Sequence, residues 1–213
     1  MQIYNKLLKW YYVQNIKMPW RKNNSPYRIW ISEIMLQQTQ VDTVIPYYVK
    51  WMRQYPSVKD LSNVELDDLL HLWQGLGYYN RVNSIYKSAN IINVDFDGII
   101  PSSYNNLIKL NGIGDYTASA ILAIAFNKYH IPIDGNIKRI VSRFNKYNNS
   151  INSLENYKQL AKKLVYKQKI GDSVQALMDL GRLICKPKLP LCNMCPINQS
   201  CLSYNEGVVN EFP

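Results

Sequence analysis

All four cysteines of this 213-residue chain fall in one seventeen-residue stretch near its end, Cys185, Cys192, Cys195 and Cys201, spaced C-x6-C-x2-C-x5-C. Four thiols so close in sequence converge on one centre or pair off, which dictates how the C-terminal part of the chain can fold. Structural zinc usually sits between two C-x(2–4)-C knuckles, and here only Cys192 and Cys195 form one. A [4Fe–4S] cluster tolerates the longer reaches from Cys185 and Cys201, because its iron corners are spread over a larger object. The spacing favours that cluster over zinc. Two disulfides are the third option, but the opening Met1-Gln2-Ile3-Tyr4-Asn5-Lys6 has no apolar signal segment pointing to an oxidising compartment.

The longest nearly apolar run, Ala118 to Phe126, is too short to span a bilayer, so the expectation is a soluble, intracellular protein without membrane contact. The formal net charge is +10, with 17 Tyr and 5 Trp. Excess cations favour a polyanionic partner, and stackable rings among them favour nucleic acid over lipid. The plainer reading is a basic protein from an AT-rich genome. The length suits one large domain or two small ones.

Strand-like alternation is scarce, whereas apolar residues recur at helical spacing in many windows. Ser25-Pro26 offers an N-cap with proline at the first helical position. Tyr27, Trp30, Ile31, Ile34 and Met35 follow at i, i+3, i+4, i+7 and i+8, which predicts a helix over Tyr27 to Thr39. Breaks at Tyr55-Pro56, Gly75-Leu76-Gly77, Asp97-Gly98, Pro101, Gly112-Ile113-Gly114, Asp134-Gly135-Asn136, Gly171 and Pro187/Pro190 leave about ten helix-length segments. The chain reads as all-α, with Glu206 to Pro213 as a tail or linker.

Leu110-Asn111-Gly112-Ile113-Gly114, followed by the helical run Tyr116 to Phe126, reads as a helix–hairpin–helix between amphipathic helices. Gly112 and Gly114 permit a tight turn, and the following helix N-terminus can aim N–H groups at a phosphate. An ordinary αα-turn uses the same Gly-x-Gly. Small residues Ala118, Ala120, Ala123 and Ala125 let the helices pack closely. Glu33 lies off the apolar centre of its helix, beside Trp30 and Gln37, where half-burial would raise its pKa and suit it to proton donation. Asp134 precedes Gly135-Asn136 at a helix start, where the dipole keeps a carboxylate anionic. One acid and one anion are what glycosidic cleavage needs. On these residues alone the plainer readings are an exposed helix carboxylate and an ordinary helix cap.

Taken together, Pro19-Trp20-Arg21, Pro26-Tyr27 through Ser32-Glu33-Ile34-Met35-Leu36-Gln37-Gln38-Thr39, Trp73-Gln74-Gly75-Leu76-Gly77-Tyr78-Tyr79, the hairpin, Asp134-Gly135-Asn136, Met178-Asp179-Leu180-Gly181 and the cysteine spacing resemble the MutY adenine DNA glycosylases of the helix–hairpin–helix base-excision superfamily. The resemblance covers nearly the whole chain. It implies a six-helix barrel domain over residues 22–133, with the hairpin at about 105–127, and a [4Fe–4S] domain from residues 1–21 and 134–213. It implies Glu33 as the general acid at N7 of a flipped adenine, Asp134 as stabiliser of the sugar cation, and Tyr116 and Asn136 as their supports. Gln38 and Tyr78 would enter the base stack, and Tyr79 is expected in the core. Arg21, Gly112, Gly114, Lys186 and Lys188, with nearby Arg182, would contact DNA, and the four cysteines would hold the cluster.

The related endonuclease III group carries a Schiff-base lysine where Tyr116 stands, so the resemblance implies base removal with little or no strand nicking. The expected partner is duplex DNA with adenine opposite 8-oxoguanine or guanine, bound by a monomer. T:G or U:G mismatch glycosylases can share this tyrosine and are the alternative, although Leu36-Gln37-Gln38-Thr39 looks like the adenine enzymes. A non-catalytic Fe–S DNA-binding module is the second alternative. Family members commonly continue into a Nudix-like domain, and this sequence stops about where that linker would start.

Overall fold

The computed structural model describes residues 2–148 and 153–213. No strand occurs among them, and contacts divide the chain into two units, Lys17–Phe126 and Met1–Ile16 with Asn127–Pro213. Helix α1 (Ile3–Gln14) belongs to the second unit. The first unit runs through α2 (Pro26–Leu36), α3 (Val41–Gln54), α4 (Val58–Ser62), α5 (Leu66–Trp73), α6 (Asn80–Asp95), α7 (Tyr104–Leu107) and α8 (Asp115–Phe126).

Helix α2 is the axis of the first unit. Eight of its eleven residues are buried, and α3, α6 and α8 pack around it. A helix buried on nearly every side is central to its unit, and the buried set here includes Ser32 and Glu33. Around it, Trp51 meets Trp73 edge to face at 5.7 Å, Trp51 Nε1 donates to the Tyr27 hydroxyl at 3.1 Å, and that hydroxyl donates to Tyr55 O at 2.7 Å. Burial raises the Tyr27 phenol far above its ordinary pKa, keeping it a neutral donor.

The structure corrects three expectations in this unit. Helix α2 begins at Pro26 as expected but stops at Leu36 rather than Thr39, because Gln37 leaves the helical region at ψ 115° and Gln38 is left-handed at φ 57°. Gln37 leaves the helix with its side chain engaged, donating to Gly112 O at 3.2 Å and Thr117 Oγ1 at 3.4 Å. The first arm of the hairpin, α7, is a single turn, and α8 is not amphipathic. Every residue of α8 from Thr117 to Ile124 is buried, and Ala118, Ala120 and Ala123 on it allow close packing against α2. Tyr79 is not a core residue, at 44% exposure, because the chain turns outward after Gly77.

The second unit joins α1 to α9 (Gly135–Asn145), α10 (Leu154–Ala161), α11 (Ile170–Leu183) and α12 (Leu202–Asn205). Helix α1 packs on α11, and α9 packs against α10, α11 and α12. Gly181 makes the α9–α11 approach possible, since a Cβ there would fall 2.6 Å from Asn136 Cβ. Residues Glu206 to Pro213 are not a loose tail. They carry a short 3-10 turn at Val209–Glu211, Phe212 is buried, and the Phe212 carbonyl accepts from Arg143 Nε at 3.4 Å. No described helix is long and apolar enough to cross a membrane.

Candidate functional site

In the first unit Glu33 lies on α2 at 6% exposure, flanked along the helix by Trp30, Ile34 and Met35, which are buried too. The sequence led us to expect half-burial; removal from water is nearly complete. Tyr116 stands half-buried on the first turn of α8, the helix packed on α2. Both side chains are engaged with neighbours. Gln38 and Tyr78 are exposed, and both have left-handed backbone, at φ 57° and 50°. Arg21 is half-buried at the end of the 3-10 turn Pro19–Arg21, where its N–H donates to Met18 O at 3.0 Å.

The hairpin shows why its two glycines differ. Leu107, Leu110 and Ile113 anchor it in the core. Gly112 has φ 74°, and a Cβ on it would fall 2.8 Å from Ser84 Cβ, so both space and backbone demand glycine. Gly114 has no positive φ and nothing within 4 Å of where its Cβ would be. Its carbonyl starts α8 by accepting from Ala118 N–H at 2.9 Å. Inside the unit nothing requires glycine at 114; its bare face is open to whatever approaches the N-terminus of α8.

In the second unit Asp134 is the N-cap of α9. Its Oδ1 accepts from Ile137 N–H at 2.7 Å and its Oδ2 from Asn136 Nδ2 at 3.1 Å. Asn136 is fixed in turn, its Oδ1 accepting from Arg139 Nη2 at 2.7 Å. Arg139 also donates from Nη2 to Gly181 O at 3.0 Å and from Nε to Cys185 O at 2.7 Å. An unbroken run of hydrogen bonds thus leads from the first cysteine of the C-terminal set to the Asp134 carboxylate.

The four cysteines are half-buried and free of disulfides. Burial pushes the Cys195 thiol up to about 12, and its closeness to Cys185, Cys201 and Cys192 adds to this. Among the described residues no three His, Cys, Asp or Glu side chains stand close enough to share one metal ion. The thiols nonetheless lie near enough to act on one another. Their donor chemistry is all sulfur, a set that a [4Fe–4S] cluster or a structural zinc accepts. Arg143, buried, supports the loop by donating to Lys186 O at 2.7 Å and Pro187 O at 3.0 Å, and its Nη1 lies 3.6 Å from Cys185 Sγ. Lys186 and Lys188 project from that loop and are exposed. Arg182 is also exposed, with Nη2 3.7 Å from Asp179 Oδ1.

Sequence reasoning missed the buried arginines Arg81, Arg139 and Arg143. The one signal is register, and only Arg139, between Ile137 and Ile140, and Arg143, between Ile140 and Phe144, show it. In a chain with 25 Lys and Arg, that signal disappears among surface cations.

Residues 31–167 match the family model described as HhH-GPD superfamily base excision DNA repair protein. A protein of Buchnera aphidicola subsp. Baizongia pistaciae named adenine DNA glycosylase is 47% identical over 205 residues, which are 94% of this chain; the chain spans 58% of that relative's length. Among solved structures, a thermostable thymine-DNA glycosylase is similar with a TM-score of 0.86 at 25% identity, over 95% of this chain and 94% of that one. An endonuclease III trapped in a covalent complex with DNA is similar in fold, with a TM-score of 0.74 at 22% identity over 86% of each chain.

Proposed function

The chain belongs to the HhH-GPD superfamily of base excision DNA repair proteins, and we propose that it removes adenine mispaired with 8-oxoguanine or guanine in duplex DNA by hydrolysing the N-glycosidic bond. One observation carries the chemistry. Two carboxyls are held in opposite ways: Glu33 is withdrawn from water on a central helix, and Asp134 is fixed as a cap by Ile137 N–H and Asn136. The choice of base is supported by the relative named adenine DNA glycosylase.

Burial favours the neutral carboxylic acid, the form that can donate a proton. Glu33 gives its proton to N7 of the extruded adenine, and the C1′–N9 bond breaks with its electron pair leaving on the base. The sugar is left as an oxocarbenium-like cation, which the Asp134 carboxylate stabilises or captures at C1′. Water then adds to C1′, and Glu33, now a carboxylate, accepts the proton that water gives up. Asn136 positions the Asp134 oxygen throughout, and Tyr116 supports Glu33. Because Tyr116 offers no amine, no Schiff base forms, and the strand stays intact until alkali treatment.

Gln38 and Tyr78 fill the stack vacated by the base, while Arg21, the hairpin at Gly112 and Gly114, and Lys186 and Lys188 hold phosphates. Cys185, Cys192, Cys195 and Cys201 would hold a [4Fe–4S] cluster, which supplies cross-linking of the loop and a redox-active centre rather than a step in base removal. On this reading the protein acts as a monomer inside the cell, where its DNA is.

Replacing Glu33 by Gln keeps size and hydrogen bonding and removes the proton. Excision should fall about 10²-fold or more while duplex binding persists. Undiminished excision by Glu33→Gln would refute the assignment. A second reading, a T:G mismatch glycosylase of the same superfamily, is favoured by the likeness to the thymine-DNA glycosylase.

A further inference from the structure

Arg81, on the first turn of α6, is only 7% exposed, yet its guanidinium is met by backbone carbonyls. Nη1 donates to Ile34 O at 3.3 Å, Met35 O at 2.6 Å and Gln37 O at 2.6 Å. Nη2 donates to Leu76 O at 3.2 Å and Gly77 O at 3.0 Å. The first three carbonyls form the open C-terminal end of α2, where the helix dipole is negative and a cation is favoured. The other two belong to the loop leaving α5, which Trp73 also holds by donating from Nε1 to Gly77 O at 2.9 Å. A single planar cation closes both chain breaks.

The residue after each break is the one that faces out. Gln38 follows Gln37, Tyr78 follows Gly77, and both have positive φ, at 57° and 50°. Side chains with a Cβ avoid that region, and it persists only where the surroundings fix it. The Arg81 guanidinium lies 5.2 Å from the centre of the Tyr78 ring and 5.3 Å from that of Trp73, so the exposed tyrosine rests on the same buried cation. Gln37 extends the connection to the hairpin through Gly112 O.

We infer that Arg81 is a positioning residue for DNA, whose five hydrogen bonds set the backbones of Gln38 and Tyr78 together, so that both side chains meet the duplex as one preformed probe. For its DNA step the inference rests on the reading of the protein as a base-extruding glycosylase. Extrusion leaves a gap in the stack, and side chains already ordered to fill it avoid the entropy of being ordered at that moment. Lysine cannot replace this arginine, because its donors radiate from one atom and cannot span two sets of carbonyls.

The test uses Arg81→Lys and Arg81→Met in the full chain, with two readouts. The first, amide hydrogen exchange without DNA, should show faster exchange at residues 36–39 and 75–79 together, with α8 unchanged. The second is single-turnover excision beside duplex affinity. Excision should fall about tenfold or more with affinity held within about threefold, since slight misplacement costs rate before it costs binding. Arg81→Lys added to Tyr78→Ala should cost less than Arg81→Lys alone, since only the placement of Gln38 is then left to lose. Wild-type exchange and excision in both variants would overturn the inference, as would acceleration of only one of the two segments. Loss of excision only in step with the folded fraction, or failure of both variants to fold, would make Arg81 a stability residue and overturn it too. If the wild-type chain excises no adenine, the adenine reading fails while the exchange result still decides the role of Arg81.

Discussion

Asp134 accepts two hydrogen bonds at the start of α9, and only one of its two roles needs a charge. Asn is as good an N-cap as Asp, whereas Ala forfeits about 1 kcal/mol. Asp134→Asn keeps the cap on Ile137 N–H but turns an amide N–H toward Asn136 Nδ2, so its thermal midpoint should fall less than that of Asp134→Ala, while excision falls about 10²-fold or more in both. A midpoint that falls equally in both variants would contradict this division, and full excision by Asp134→Asn would contradict the role of the carboxylate. The cap was legible in the sequence because Asp-Gly-Asn before an apolar helix is a local signal. The Arg139 relay behind it was not, since its partners, Gly181 O and Cys185 O, lie some 40 residues along the chain and are backbone atoms. Tyr78 and Tyr79 show the same limit. Adjacent identical residues carry no mark of which points inward, and both proved exposed once Gly75 and Gly77 took positive φ.

At the scale of elements, helix starts were read more accurately than helix ends. Pro26 and Asp134 announce theirs through fixed φ and capping chemistry. The end of α2 is set by Arg81 and by the Gln37 contacts to Gly112 and Thr117, long-range partners invisible to periodicity. Uniform burial of α8 was missed because two alanine-rich faces look alike in sequence; which is buried depends on what packs there. The hairpin separates structural from binding glycine. Gly112→Ala should destabilise the fold by about 1–3 kcal/mol through strain at positive φ and contact with Ser84. Gly114→Ala should leave the thermal midpoint unchanged and weaken duplex binding, because its Cβ would occupy only the open face above α8. Calorimetry beside a DNA titration checks both, and equal destabilisation by the two variants would remove the distinction.

For the whole molecule, the all-helical class was legible from periodicity alone. The segment beyond Glu206 was not, because burial of Phe212 depends on Arg143 reaching it from α9. The loop from Cys185 to Cys201 has only short 3-10 turns of its own, at Cys192–Met194 and Asn198–Ser200, so its order should depend on what the thiols bind. Cys192→Ser should lose the visible absorbance of an iron–sulfur centre, iron content and duplex affinity together. Normal DNA binding by an iron-free variant would show that the centre is dispensable for it. The central claim is the base removed, and single-turnover release from four duplexes tests it: A opposite 8-oxoguanine, A opposite G, T opposite G, and U opposite G. The account predicts free adenine from the first two, with strand breakage only after alkali. Release of thymine or uracil alone, or of no base from duplexes that bind tightly, would contradict it.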